Sequence, residues 1–199
     1  MSKIQFNKAF TQQEPIPETA KKRVMELLDS GRLHRYNTVG EELSDAALLE
    51  QDFAQYQGRK YCLACTSGGY GLHIALRAMG LQSGDQVLTN AYTLAPVPGA
   101  IHAAGGKPVL VEIDEHYHLD LVDLEAKAKS SNAKILLLSL MRGHIPDMDR
   151  LMALCNDLGL QVLEDCAHTM GGSWGDKKSG NFGQVAAFSL QTYKHLNTG

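Results

Sequence analysis

The sequence predicts an α/β protein with a mainly parallel sheet covered by helices on both faces. Short apolar segments of strand length alternate with helical segments of about ten residues between residues 61 and 190, and this alternation is typical of βαβ units. Several strands, such as 133–140 (AKILLLSL), are apolar almost without a break, as in strands buried on both faces. With 199 residues, 44% of them hydrophobic, the chain is long enough to enclose a core.

Two helices are predicted before the alternation begins. The first, in 17–33, ends at Gly31 and has Val24, Leu27 and Leu28 on one face, which we expect to point inward. The second begins near Ser44 and stops at Gly58. We therefore divide the chain into an N-terminal helical segment, 1–58, and a large domain, 59–199.

The large domain is predicted as alternating strands and helices. The strands are at 61–66, 85–90, 107–114, 133–140, 161–167 and 186–190, and the helices at 69–80, 95–105, 120–130 and 147–159. The last helix has Asp147 as its predicted N-cap, with Met148, Leu151, Cys155 and Leu158 on one face.

Bulk composition excludes several classes of protein. The formal net charge is −3 without a basic stripe, so nucleic acid is not an expected partner. No apolar stretch approaches the roughly 20 residues that span a bilayer, and residues 1–10 lack the apolar core of a secretory signal. We expect a cytoplasmic protein without membrane contact.

The cysteines do not predict a metal centre. Cys62 and Cys65 form a C-x-x-C pair, but residues three apart on the predicted strand 61–66 point to opposite faces. No second cysteine pair with zinc spacing is present in the sequence.

Residues just after each strand are the candidates for function, because open parallel sheets bind ligands beyond the carboxyl ends of their strands. Residues 66–71 (TSGGYG) lie between a predicted strand and a helix, where free N–H groups suit a phosphate, although glycines there also serve a tight turn. Glu164 and Asp165 end an apolar strand. They are either functional acids or structural groups that cap the next element or form a salt bridge. Neither G-x-G-x-x-G nor G-x-x-x-x-G-K-[ST] occurs, which disfavours an ordinary nucleotide-binding domain.

Lys194 follows the strand 186–190 and lies at the same predicted edge as Asp165. Most lysines are solvated surface charges, but a lysine in a partly dry site loses part of its preference for the charged form and attacks aldehydes. A phosphate cradle that includes Ser189, a carboxylate for a ring nitrogen and a reactive amine are together the parts that hold pyridoxal 5'-phosphate (PLP).

The sequence resembles the DegT/DnrJ/EryC1/StrS family of sugar aminotransferases, within fold type I of PLP enzymes. The stretches that carry the resemblance run in order along nearly the whole chain: SGGYGLHIAL (67–76), GDQVLTNAYT (84–93), GGKPVLVEID (105–114), GHIPDMD (143–149), EDCAHTMGG (164–172) and GNFGQVAAFSLQTYKHLNTG (180–199).

The resemblance implies a role for each candidate residue. Lys194 would carry PLP as a Schiff base, Asp165 would pair with the pyridine nitrogen, and His168 would lie near the phenolic oxygen. The cofactor's phosphate and ring would be held by five further residues: Ser189, Ser67, Leu94 and the backbone N–H groups of Gly69 and Tyr70.

The resemblance also implies an activity. Family members usually move an amino group from L-glutamate to a keto sugar, nucleotide-linked or acidic, in cell-envelope or secondary-metabolite sugar biosynthesis, and they work as homodimers. They continue into a small C-terminal domain that these 199 residues lack, so we expect the chain to be the N-terminal large-domain portion. A PLP-dependent sugar dehydratase, whose relatives replace the lysine by histidine, is disfavoured by Lys194. A non-catalytic ligand-binding or regulatory protein on the same scaffold is the remaining alternative.

Three departures from the family pattern are visible. Gly69 replaces a common threonine, and Leu94 replaces an aromatic residue that stacks on the ring. The loop 139–146 (SLMRGHIP) also differs, and its Arg142 is either a contact for an anionic substrate or a surface arginine.

Overall fold

The structure is a computed structural model that describes Asn7 and residues 15–198. Its helices are α1 (Glu18–Ser30), α2 (Asp45–Gln57), α3 (Gly68–Ala78), α4 (Pro96–Ala103), α5 (Leu121–Ser130) and α6 (Met148–Asp157). Its strands are β1 (Gln86–Asn90), β2 (Lys107–Val111), β3 (Ile135–Ser139), β4 (Gln161–Asp165), β5 (Ser173–Trp174), β6 (Lys177–Lys178) and β7 (Val185–Ala187). The outer limits of the predicted segments 1–58 and 59–199 lie outside the described residues, and this division stays a prediction.

Five strands form one parallel sheet in the order β2-β1-β3-β4-β7. The register sets Ser139 of β3 beside Asp165 of β4, and Asp165 beside Ala187 of β7. The carboxyl ends of these three strands therefore meet at one edge, and the loops that leave them share the space above it.

Helices cover both faces of this sheet, which confirms the predicted α/β architecture. Side chains alternate along each strand. Leu136 and Leu138 therefore pack in a core with α5 and α6, whereas Ile135 and Leu137 pack in a second core with α3 and α4. Each fully buried leucine contributes about 1.5–3 kcal/mol through removal of apolar surface from water.

Caps end several helices where the sequence indicates. Ser44 accepts the N–H of Ala47 at the start of α2, and Asp147 accepts the N–H of Arg150 at the start of α6. Gly31 closes α1 in the left-handed conformation that a side chain rarely adopts. These contacts confirm the predicted helix limits.

The strand predicted at 61–66 is wrong. These residues form no strand and pair with no neighbour in the sheet. Tyr61 and Leu63 are exposed, and the N–H of Ala64 donates to the Glu50 carboxylate of α2 instead of to a strand. The argument that Cys62 and Cys65 face opposite ways loses its basis. Among the described residues, no group of three or more His, Cys, Asp and Glu is arranged to hold a metal ion.

The inward face predicted for α1 is also wrong. Val24 and Leu28 are 52% and 55% exposed, and no residue of α1 is buried. Ion pairs join this region to its neighbours, such as the two bonds from the Arg23 guanidinium to the carboxylate of Asp45. Leu27, the third residue of this predicted face, is half-buried. The apolar face is therefore only partly covered by described residues, and polar contacts contribute to the placement of α1.

Two smaller differences concern the last part of the chain. The final sheet strand covers Val185–Ala187 and ends before Ser189, so the predicted strand 186–190 becomes a loop from residue 188 onward. The two-residue strands β5 and β6 form an antiparallel pair that sequence periodicity did not predict. No helix in the described part of the chain combines the length and hydropathy of a membrane span.

Candidate active site

Three of the predicted site residues converge beyond the carboxyl ends of β4 and β7. Asp165 is the last residue of β4, His168 follows three residues later, and Lys194 lies in the loop after β7. All three are half-buried. The parallel register of β4 and β7 brings these separate parts of the sequence to one edge.

The Lys194 amine contacts the His168 ring directly. The distance from Lys194 Nζ to His168 Nε2 is 2.8 Å, and the backbone N–H of Arg142 donates to His168 Nδ1 at 3.2 Å. Because Nδ1 is the acceptor, the proton of the neutral ring resides on Nε2. In this tautomer Nε2–H faces Nζ, so the two atoms form a hydrogen bond when the amine is in its neutral form.

The electrostatic environment favours the same protonation states. Burial lowers the pKa of Lys194, and the positive charge of Arg142 lowers it further, whereas the charge of Asp165 raises it. Burial also lowers the pKa of His168, helped by the charges of Lys194, Arg142 and His195. Both environments thus shift the balance toward the neutral form of the group, compared with the same group in water.

Asp165 lies at the end of a chain of hydroxyl groups. Thr93 Oγ1 donates to Ser139 Oγ at 2.7 Å, and Ser139 Oγ donates to Asp165 Oδ2 at 3.4 Å. The N–H of Ala167 donates to Asp165 Oδ1 at 3.2 Å. Burial raises the pKa of Asp165, while these hydrogen bonds and the Lys194 charge lower it. No cationic side chain of residues 15–198 forms a direct hydrogen bond or ion pair with this carboxylate.

Thr93 and Ser139 were not among the predicted site residues. Thr93 lies just after β1, and Ser139 is the last residue of β3, so both lie at the carboxyl ends of strands. This position was the available signal, because hydroxyl groups at the edge next to a buried carboxylate are natural donors to it.

Glu164, next to Asp165, serves the structure instead of the site. It is fully buried, and its carboxylate accepts the backbone N–H groups of Gly180, Phe182 and Gly183 at 2.7–2.8 Å. Gly183 has no alternative, because a Cβ there would overlap the carbonyl oxygen of Val162. Of the two carboxylates at the end of β4, Glu164 is thus the cap for the following loop.

The same loop is held from its other side by the end of α2. Arg59 donates to the carbonyl oxygens of Gly180 and Gly183, and Gln57 Nε2 donates to the carbonyl of Ser179 at 2.5 Å. Because this loop leads directly into β7, these contacts and those of Glu164 fix the origin of the segment that carries Lys194.

The start of α3 lies against Ser189, as a phosphate cradle requires. A Cβ added to Gly68 would lie 3.4 Å from the Ser189 Cβ and 3.8 Å from its hydroxyl oxygen, so Ser189 lies within van der Waals reach of the first residue of α3. The first N–H groups of a helix lack intrahelical acceptors and lie at the positive end of the helix dipole. Ser67 accepts the N–H of Tyr70 at 3.1 Å, so the amide of Gly69 is more available than that of Tyr70.

Leu94 is the predicted site residue with the least contact. Its side chain is 46% exposed, and its carbonyl accepts the N–H of Val97 at the start of α4. It lies one residue after Thr93, so it borders the hydroxyl chain without belonging to it.

These groups fit PLP by their chemistry. An aldehyde needs an uncharged amine, a pyridinium nitrogen needs a buried carboxylate, and a phosphate needs helix N–H groups with a hydroxyl beside them. Lys194, Asp165 and the Gly68–Ser189 cradle meet these needs at one sheet edge.

Comparison with known proteins identifies the group to which this architecture is similar. The family model of the DegT/DnrJ/EryC1/StrS aminotransferase family matches residues 15–199. The UDP-2-acetamido-2-deoxy-3-oxo-D-glucuronate aminotransferase of Pseudomonas aeruginosa is 34% identical over 87% of this chain and 49% of its own length. A pleiotropic regulatory protein of Geobacillus stearothermophilus is 33% identical over 90% of this chain and 47% of its own length.

A solved structure shows the same fold. The putative sugar aminotransferase Spr1654 of Streptococcus pneumoniae, determined in a PLP form and a PMP form, aligns with TM-score 0.82 at 23% identity. In its PLP form the match covers 97% of this chain and 51% of that protein. The chain thus spans about half the length of the relatives it matches.

Proposed function

Because the chain belongs to the DegT/DnrJ/EryC1/StrS aminotransferase family, we propose that it is the cofactor-binding half of a PLP-dependent enzyme that aminates a keto sugar. The observation that carries the proposal is the 2.8 Å contact between Lys194 and His168 at the edge that also holds Asp165. This contact supports the interpretation that the Lys194 amine acts as a nucleophile and is not a solvated surface charge.

Bound PLP would supply an aldehyde for the amine and an electron-withdrawing ring for carbanion chemistry. Asp165 would hold the proton on the ring nitrogen, with Ser139 and Ala167 orienting its two oxygens. Ser189 and the α3 N-terminus, with Ser67, Gly69 and Tyr70, would bind the phosphate, and Leu94 would pack beside the ring. The placement of Asp165, Ser189 and the α3 N-terminus at one sheet edge supports these assignments.

Lys194 would then move a proton at the carbon that exchanges its amino group. Its depressed pKa allows the neutral amine to act as a base, and its ammonium form then returns the proton. His168 orients the amine through Nε2, and Arg142 holds the His168 ring through Nδ1.

The substrates are proposed from the relatives. The Pseudomonas aeruginosa relative is, by name, an aminotransferase of a UDP-linked 3-oxo sugar acid, which supports a keto-sugar acceptor for this chain. We propose L-glutamate as the amino donor and a homodimer as the working assembly, in line with the family. A nucleotide-linked or acidic keto sugar is the proposed acceptor.

The test uses the full-length protein with PLP, L-glutamate and a panel of nucleotide-linked and free keto sugars. We expect a yellow protein that aminates at least one acceptor. Lys194→Ala should lose the lysine-linked visible band and at least about a hundredfold in turnover. Lys134→Ala, which changes an exposed lysine just before β3, is the matched control and should keep both. Normal turnover by the Lys194 variant would refute the proposal.

A regulatory role is the second candidate, because one relative is named a pleiotropic regulatory protein. On this alternative the full-length protein would bind PLP without aminating any keto sugar of the panel. A sugar dehydratase with histidine in place of the lysine is disfavoured, because Lys194 is present and the neighbouring His195 is exposed.

A further inference from the structure

Arg142 presents an uncommitted positive charge beside the candidate active site. Its side chain is exposed, and its guanidinium forms no hydrogen bond or ion pair with any residue between 15 and 198. Its backbone, in contrast, is fixed, because its N–H donates to His168 Nδ1 at 3.2 Å. The backbone of Arg142 is therefore held in place, whereas its guanidinium has no partner among residues 15–198.

The backbone of Arg142 is strained. Its φ is 57°, and within the described residues Tyr117 is the other non-glycine residue with positive φ, at 64°. Such conformations are costly for residues with a side chain and concentrate at functional sites. Both residues lie in loops that follow strands of the same sheet, Tyr117 after β2 and Arg142 after β3, the two strands that flank β1.

The charge of Arg142 reaches the reactive groups. It lowers the pKa of both Lys194 and His168, and the backbone N–H of the same residue donates to the His168 ring. Asp165, the acid of this edge, is hydrogen-bonded to Ser139 and Ala167 and not to the guanidinium. No carboxylate of residues 15–198 forms an ion pair with the Arg142 guanidinium.

Aromatic rings line the surface next to Arg142. The ring of Tyr117 lies 5.5 Å from that of His144 and 5.1 Å from that of Tyr92, measured between centroids. His144 follows Arg142 by two residues. A shallow open groove of about 410 Å³ runs along the rings of Tyr117 and His144 and is also lined by Glu115, His116 and His118.

We propose that Arg142 binds an oxyanion of the acceptor sugar, the diphosphate of a nucleotide-linked sugar or the carboxylate of a sugar acid, while the rings of Tyr117 and His144 pack against its uncharged part. This inference rests on the proposed function and adds a specificity-determining residue to it. A guanidinium offers paired N–H donors that match both phosphate and carboxylate oxygens, and the neighbouring rings suit a sugar or base face.

The experiment compares wild type, Arg142→Met, Arg142→Lys and Arg150→Met in the full-length PLP-loaded enzyme, with the acceptor that the panel identifies. Arg142→Met should raise the KM for this acceptor about tenfold or more, the loss expected for a hydrogen bond between charged groups. Arg142→Lys should restore part of the affinity, because it keeps the charge but not the paired donors. Arg150 is also exposed, and its side chain forms no hydrogen bond with residues 15–198, so its variant is the control.

Inhibition by UDP-glucose, UDP-glucuronate and free glucuronate identifies the anion. If Arg142→Met weakens both UDP-sugars equally, the diphosphate is the bound group. If it weakens chiefly the two glucuronates, the carboxylate is the bound group. Both results support the proposal.

Three results would overturn it: an uncharged keto sugar as the best acceptor, an unchanged acceptor KM in Arg142→Met, or equal losses for acceptor and glutamate. A wild-type enzyme that aminates no keto sugar would instead refute the proposed function itself.

Discussion

The Nε2 atom of His168 lies 2.8 Å from the Nζ atom of Lys194, and the opposite ring nitrogen accepts a backbone N–H from Arg142. A backbone amide can only donate, so the ring has one possible neutral tautomer in this arrangement. The backbone of Arg142 thus fixes the neutral tautomer whose Nε2–H faces the Lys194 amine.

The first prediction concerns this tautomer. In the cofactor-free full-length protein at neutral pH, ¹⁵N NMR of labelled histidine should show His168 protonated at Nε2 and unprotonated at Nδ1, because Arg142 occupies Nδ1. His168→Asn identifies the resonance. A ring protonated at Nδ1 would contradict the described proton arrangement.

The second prediction concerns the pH dependence of Lys194. Burial lowers its pKa, so its neutral, reactive form should appear at lower pH than that of a free lysine, whose pKa is about 10.4. Labelling with an amine reagent across pH, followed at Lys194 by peptide mass spectrometry, measures the midpoint in the cofactor-free protein.

Two variants should move this midpoint in opposite directions. Asp165→Asn removes a charge that raises the pKa of Lys194, so the midpoint should fall, whereas Arg142→Met removes a charge that lowers it, so the midpoint should rise. Shifts of the same sign in both variants would show that the two charges do not act on this amine.

The third prediction concerns Glu164. Glu164→Gln replaces one acceptor oxygen by an N–H₂ donor and leaves at least one buried backbone N–H without a partner. We expect a loss of about 1–3 kcal/mol in the free energy of unfolding, measured with denaturant on the cofactor-free protein.

Glu115→Gln is the control for this substitution. The Glu115 side chain is 88% exposed, so the same chemical change there should leave the unfolding midpoint essentially in place. Equal effects at the two positions would mean that the three N–H groups find other acceptors when Glu164 is changed.

The parallel sheet and the convergence of Asp165 and Lys194 at one edge were predictable from sequence because both depend on chain order. Strands and helices that alternate must place their carboxyl ends at one edge, and Asp165 and Lys194 each follow such a strand. Their approach needed no knowledge of loop conformation, only the topology.

The parts that sequence did not predict depend on conformation or on missing neighbours. The Arg142 contact with His168 requires a left-handed backbone that local sequence does not specify for arginine. Residues 61–66 are apolar enough for a strand, but a strand also needs a neighbouring edge, which periodicity cannot reveal. Val24 and Leu28 likewise have the right spacing for burial without a described surface to cover them.

The alternation of side chains along β4 makes the alignment of this strand a condition for chemistry. Glu164 and Asp165 are neighbours that serve opposite sides, one the loop 180–183 and the other the amine. If β4 were displaced by a single position against β3, each of its side chains would change faces, and neither acid would keep its own contacts. The register of β4 therefore determines both the support of the loop 180–183 and the position of the Asp165 carboxylate near Lys194.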